Sequence, residues 1–169
     1  MTKSIFTPKR LAISGLLVGL GILGSYISVP MPGLGSTIAF DSLPGFFGAL
    51  FLSPALGGLI GAIGHLMTAL LHGFPQGLPS HMLVMVFMGI ACASFGYFYP
   101  KQRILGVVVA FLINGPITLF LASWLTYVMK VTPTMMFLFY LLLLPLSIAA
   151  LANILLAAGL FEAIGKRLP

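Results

Sequence analysis

The stretch Ser36-Thr37-Ile38-Ala39-Phe40-Asp41-Ser42-Leu43-Pro44 decides how this chain folds. It holds Asp41, one of only two acidic residues, and it separates apolar segments at a depth where helix would otherwise continue. The apolar run after it, Gly45 to Leu52, is too short to cross a bilayer. At about 1.5 Å per helical residue, Ser42 to Leu52 covers about half of a hydrocarbon core roughly 30 Å thick. Irregular backbone must make up the remaining depth. Lipid offers no partner for free N–H and C=O groups, so such backbone survives only buried in protein or lining a wet cavity. A carboxylate in that segment is a candidate site.

Outward from this segment, the whole composition is that of a membrane protein. The 169 residues are 60% hydrophobic and 6% charged, with a mean hydropathy of +1.17, against about 25% charged in soluble domains. The length accommodates about six spans with tight loops and no soluble catalytic domain, so the expected fold is a single all-α integral membrane domain over residues 1–169. A net charge of +6 does not point to nucleic acid, because the basic residues form no interleaved aromatic patch. They lie between apolar runs. With six crossings and the N-terminus inside, Lys3, Lys9, Arg10, Lys101, Arg103, Lys166 and Arg167 fall on the cytoplasmic side and Lys130 alone outside. That asymmetry sets an N-in, C-in orientation. The basic start followed by a long apolar run reads as a retained first helix rather than a cleaved signal.

The expected helices run over about 11–29, 42–52, 55–71, 81–99, 104–129 and 135–164. In the first, Ala12, Gly15 and Gly19 share a face without bulk, which suits close helix packing within the chain or docking onto a partner subunit. Val29-Pro30-Met31-Pro32-Gly33-Leu34-Gly35 is an outer loop, since its prolines and glycines cannot continue a helix. Asp41 or Ser42 is the expected N-cap of the half-length second helix. Gly57, Gly61, His65, Thr68 and His72 repeat at spacings of four, four, three and four and so share one face of the third. A loop from Gly73 to Ser80 leads to His81. Asn114-Gly115-Pro116 predicts a kink in the fifth helix, and Pro145 another in the sixth. Asn114 and Asn153 fall at similar depth and could hydrogen-bond to each other. Cys92, the only cysteine, reads as packing.

Catalysis finds little support, because Asp41 has no second carboxylate at its depth. His65 and His72 lie about 10 Å apart along one helix, too far to share a metal, and His72 and His81 could meet across their loop without a further ligand. No phosphate-binding loop is present. No cofactor or metal is expected. What remains is a set of polar and aromatic groups in the outer half: Asp41, Ser42, His65, Thr68, His72, Gln76, His81, Trp124, Tyr127 and Tyr140, with Asn114 and Asn153 deeper. Apolar walls with a few oriented polar groups suit a neutral, partly aromatic small molecule. Asp41 is open to three roles: ligand contact, helix capping, and pairing with a histidine.

A small-residue first helix, a Pro/Gly outer loop, a short second helix ending at Ser53-Pro54 and no ATPase resemble the substrate-binding S component of energy-coupling-factor (ECF) transporters. Ala39-Phe40-Asp41-Ser42-Leu43-Pro44-Gly45, Gly64-His65-Leu66-Met67-Thr68-Ala69-Leu70 and Gly73-Phe74-Pro75-Gln76-Gly77-Leu78-Pro79-Ser80-His81 look most like the α-ribazole transporters, which salvage a cobalamin precursor. The resemblance implies a prokaryotic plasma-membrane subunit that captures its ligand from outside. It also implies partnership with a transmembrane T component and two ATP-binding subunits. The family meets the T component through an Ala-x-x-x-Ala-like patch; here Ala12 is followed by Leu16, and Gly15 to Gly19 is the nearest equivalent. α-Ribazole would stack on Trp124 or Phe74 and offer sugar hydroxyls to Asp41, His81 or Gln76. Alternatives are another vitamin substrate, such as pantothenate or a different cobalamin precursor, and a self-sufficient ion-coupled carrier. An intramembrane enzyme is the weakest reading.

Overall fold

The computed structural model describes residues 6–26, 28–31 and 36–165. Residues 32–35 of the outer loop, and Lys3, Lys166 and Arg167, lie outside them. Helix α1 covers Pro8–Tyr26, strands β1 and β2 cover Ser28–Met31 and Ser36–Ala39, and the half-length α2 covers Leu43–Phe51. Then come α3 (Pro54–Leu71), α4 (Leu78–Phe98) and α5 (Arg103–Leu112). A π-helical turn at Ile113–Ile117 joins α5 to α6 (Thr118–Val128), and α7 runs over Met135–Ala163.

The first helix therefore stops at Tyr26, short of the expected residue 29. The chain goes on as a short antiparallel hairpin in which Ser28 faces Ala39 and Met31 faces Ser36. The broken segment is thus partly strand, and cross-strand pairing satisfies backbone groups that a loop would leave open. Pro30 is admitted because the hairpin has only two strands, so its missing N–H can face away from the partner. Beyond β2, the Phe40 N–H donates to the Gly24 carbonyl at 3.4 Å, which ties the hairpin to α1.

Prolines place three helix starts. Pro44, Pro54 and Pro79 all lie in first turns, where the N–H they lack would have no intrahelical partner. Pro79 is why α4 begins at Leu78 rather than near His81. Ser53 caps α3 by accepting the Leu56 N–H at 3.2 Å. Pro116 sits inside the π turn, and the Thr118 hydroxyl donates to the Ile113 carbonyl there. The kink expected at Asn114-Gly115-Pro116 is this π turn.

Among the described residues, four helical segments are long and apolar enough to cross a membrane: Pro54–Leu71, Leu78–Phe98, Arg103–Val128 and Met135–Ala163. With 9 residues, α2 reaches about half-way. It is held at depth by small residues. A Cβ on Gly57 would lie 2.2 Å from Ala49 Cα, and one on Gly61 would lie 2.6 Å from Cys92 Sγ. Phe46, fully buried, meets Phe95 edge-on with ring centroids 5.6 Å apart. Lipid supplies no hydrophobic force between helices, so this close backbone approach and the dispersion contacts it permits hold α2 between α3 and α4. At one end of the bundle Arg103 on α5 pairs with Glu162 on α7 at 3.2 Å.

Candidate ligand-binding cavity

A cavity of about 180 Å³ opens where the segment before α2 meets the C-terminal half of α3, the start of α4, the π turn with α6, and the middle of α7. Its polar lining comprises Asp41, Ser42, His65, Thr68, His72, Gln76, His81, Asn114, Thr118 and Asn153. Nine of these ten are residues singled out in the sequence; Thr118 is the addition. The helical period explains the convergence. On α3, residues 65, 68 and 72 continue the face begun by Gly57 and Gly61, and residues 114, 118 and 122 recur every fourth position. The apolar wall was not singled out: Val84, Met88, Leu119, Ala122, Leu142, Leu146, Ala149 and Ala150, with Ala69 and Pro75. A signal for it existed. Val84 and Met88 stand three and seven residues beyond His81, and 142, 146, 149 and 153 repeat at helical spacing on α7.

Asp41 is positioned by backbone contact with α1. A Cβ on Gly21 would come 2.9 Å from the Asp41 carbonyl oxygen, and one on Gly24 would come 2.6 Å from that of Phe40. These two glycines make the close approach to the segment before α2, whereas a Cβ on Gly15 or Gly19 would meet nothing within 4 Å among the described residues. The Asp41 carboxylate pairs with His65, Oδ2 to Nδ1 at 3.7 Å, both side chains being 14% exposed. His65 Nε2 in turn lies 3.3 Å from His81 Nδ1, with the two rings stacked at 5.4 Å. The sequence suggested His72 and His81 as neighbours across their loop; His65 is the one that meets His81. His72 turns back on its own helix, its Nδ1 2.8 Å from the Thr68 carbonyl and its ring against Tyr26. Among the described residues no group of three or more His, Cys, Asp or Glu side chains could hold a metal ion.

Capping of α2 also differs from expectation. Ser42 occupies the N-cap position without a side-chain cap bond. The Leu43 N–H donates instead to Asn153 Oδ1 at 2.9 Å, and Asn153 Nδ2 donates to the Ala149 carbonyl at 2.8 Å. Asn153 therefore fastens α2 to α7, a role that the expected pairing with Asn114 did not include. Trp124, Tyr127 and Tyr140 are not at the cavity; they are 49%, 48% and 71% exposed. Trp124 stands two residues from the inward Ala122, and Tyr140 two from both Leu138 and Leu142, which turns each about 200° round its helix. Tyr127 follows the buried Thr126 by about 100°. Phe74 does reach the histidines, its ring 5.7 Å from that of His81.

Comparison with known proteins agrees with this architecture. Residues 9–165 match the family described as "ECF transporter, substrate-specific component". The protein in "Structure and mechanism of the S component of a bacterial ECF transporter" is similar in structure, with a TM-score of 0.65 and 17% identity over 94% of this chain and 96% of that one. That likeness is one of fold. No curated protein sequence matches the chain. On the family match, which spans nearly its full length, the chain belongs to the substrate-specific components of ECF transporters.

Proposed function

We propose that this chain is the substrate-capturing membrane subunit of an ECF importer, with six spans, both termini in the cytoplasm of a prokaryotic cell, and a cavity open to the outside. In this reading a transmembrane T component and two ATP-binding subunits drive uptake. The observation that carries it is the cavity itself: a carboxylate and two histidines, linked in series, face a wall of Leu, Val, Met and Ala side chains. Such a site suits a neutral molecule with an apolar ring and a few hydroxyls. α-Ribazole is the first candidate. Its ring system would lie along the α6 and α7 wall and its sugar would meet Asp41, His81 and Gln76.

Equilibrium binding of α-ribazole to the purified protein tests this, with Asp41→Asn and His81→Ala alongside. Loss of a hydrogen bond to a buried charged or polar group costs about 1.5–3 kcal/mol, or about 10- to 100-fold in affinity. Unchanged affinity in both variants would remove these residues from the site. The size of the cavity favours a second reading. Sites that enclose drug-sized ligands measure about 300–1,000 Å³, so about 180 Å³ suits a smaller vitamin such as pantothenate unless the turn between α3 and α4 swings outward. Gly73 and Gly77, at φ +74° and +82°, flank that turn. Mass spectrometry of the molecule that copurifies separates the two. Uptake that persists without the ATP-binding subunits would instead make the chain an ion-coupled carrier.

Docking to the T component is assigned to the face bearing Ala12, Gly15 and Gly19. Ala12 and Gly15 are exposed, Gly19 is partly so, and none of the described residues comes within 4 Å of a Cβ built on either glycine.

A further inference from the structure

The Asp41–His65–His81 series fixes more than position. Two buried polar atoms on cavity residues, His81 Nε2 and Thr68 Oγ1, have no hydrogen-bond partner among the described residues. Thr68 stands three residues after His65 on the same face of α3, and both orphans belong to residues that line the cavity. Buried polar atoms without partners are uncommon in folded proteins and call for an explanation.

The chain of contacts supplies one. An ionised carboxylate 3.7 Å from His65 Nδ1 attracts an N–H and repels a lone pair, so it selects the tautomer with the proton on Nδ1. Neutral His65 then presents a lone pair at Nε2. The nitrogen facing it at 3.3 Å, His81 Nδ1, must carry a proton to make a hydrogen bond. A neutral His81 with its proton on Nδ1 has only a lone pair left at Nε2.

We propose that Asp41 acts through His65 to hold His81 Nε2 as a hydrogen-bond acceptor, and that the transported molecule meets it with an O–H or N–H donor. Beside its own contact with the ligand, Asp41 acts with His65 to position His81, and His81 is the acceptor that selects the ligand. Thr68 Oγ1 offers a hydroxyl donor on the lining of the same cavity, so a ligand carrying hydroxyl groups, which both donate and accept, suits these two residues. The inference deepens the transport reading and rests on it for the identity of the ligand. The tautomer wiring does not.

The wiring is tested in the ligand-free full-length protein by ¹⁵N-histidine NMR at neutral to mildly alkaline pH. Coupling between nitrogens across the His81–His65 hydrogen bond identifies the pair in the unsubstituted protein. The expected spectrum has both histidines protonated at Nδ1 and unprotonated at Nε2, and Asp41→Asn converts both to mixed tautomers. His72, whose Nδ1 can only donate to the Thr68 carbonyl, stays in its Nδ1–H form in that variant and serves as the control. A proton on His81 Nε2, or on both nitrogens of His65, overturns the proposal, as does an unchanged pair in Asp41→Asn. The ligand half is read from α-ribazole titrations. His81→Gln, which keeps an acceptor, should bind at least 10-fold more tightly than His81→Met, and equal affinities overturn the donor contact. No binding to the unsubstituted protein would remove α-ribazole as substrate, and the donor contact with it, while the spectrum still decides the wiring.

Discussion

One face of α3 is used in opposite ways along its length. Towards Pro54, Gly57 and Gly61 bring α2 and α4 so close that a single added carbon would overlap Ala49 or the Cys92 sulfur. Towards Leu71, His65, Thr68 and His72 hold the neighbouring helices apart and leave space. The same 3.6-residue period builds a closed crossing at one end and an open cavity at the other, according to whether the recurring residue is glycine or polar. The closed end gives the open end its rigidity, since α2 is clamped there and carries Asp41 and Ser42 at its start.

The strongest test of this contrast is Gly57→Ala. The added Cβ would sit 2.2 Å from Ala49 Cα, a backbone atom that cannot swing aside as a side-chain end could. Overpacking costs about 1–3 kcal/mol, and a clash with backbone belongs at the upper end of that range. A marked fall in unfolding temperature in detergent is expected. Gly159→Ala, with nothing among the described residues within 4 Å of the new carbon, should gain up to about 1 kcal/mol from better helix propensity. If the two variants unfold alike, the closed end is not the clamp described.

Asn153→Ala comes next in size. It leaves the partly buried Leu43 N–H without its acceptor, which costs about 2 kcal/mol, and it frees the start of α2 from α7. Unfolding temperature should fall by less than in Gly57→Ala, and hydrogen exchange at the Leu43 amide should accelerate while that at Leu56, capped locally by Ser53, stays slow. Equal protection at both amides would show that Asn153 is not the tether.

These variants also mark what could be read from the sequence. The spacing of Gly57, Gly61, His65, Thr68 and His72 is visible there because helix period is local information. The Asn153 cap is not, because its donor lies 110 residues away and nothing local to either residue announces the pairing. The hairpin escapes notice because each strand has four residues and β1 contains a proline, which argues against a strand wherever neighbours flank both edges. Loop adjacency favours His72 as the partner of His81, whereas the turn at Gly73-Phe74, with φ of +74° and +51°, leaves His81 beside a residue two helical turns earlier. Only depth places the aromatic residues in a sequence reading. Depth does not fix the direction in which a helical side chain points.

Trp124→Ala has the smallest expected effect and tests that last distinction. Trp124 is the only tryptophan in the chain and, by sequence, the obvious platform for an aromatic ligand. Its position on α6 faces away from Thr118, Leu119 and Ala122, the α6 residues that line the cavity, and leaves it 49% exposed. An outward residue that contributes neither wall nor hydrogen bond should change stability by no more than about 0.5 kcal/mol when truncated. α-Ribazole affinity should then match that of the unsubstituted protein, whereas Leu119→Ala, which removes part of the wall, should weaken it. A loss of affinity in Trp124→Ala as large as in Leu119→Ala would mean that α6 rotates when the cavity fills, and the division between a fixed end and an open end of the bundle would have to include α6 on the moving side.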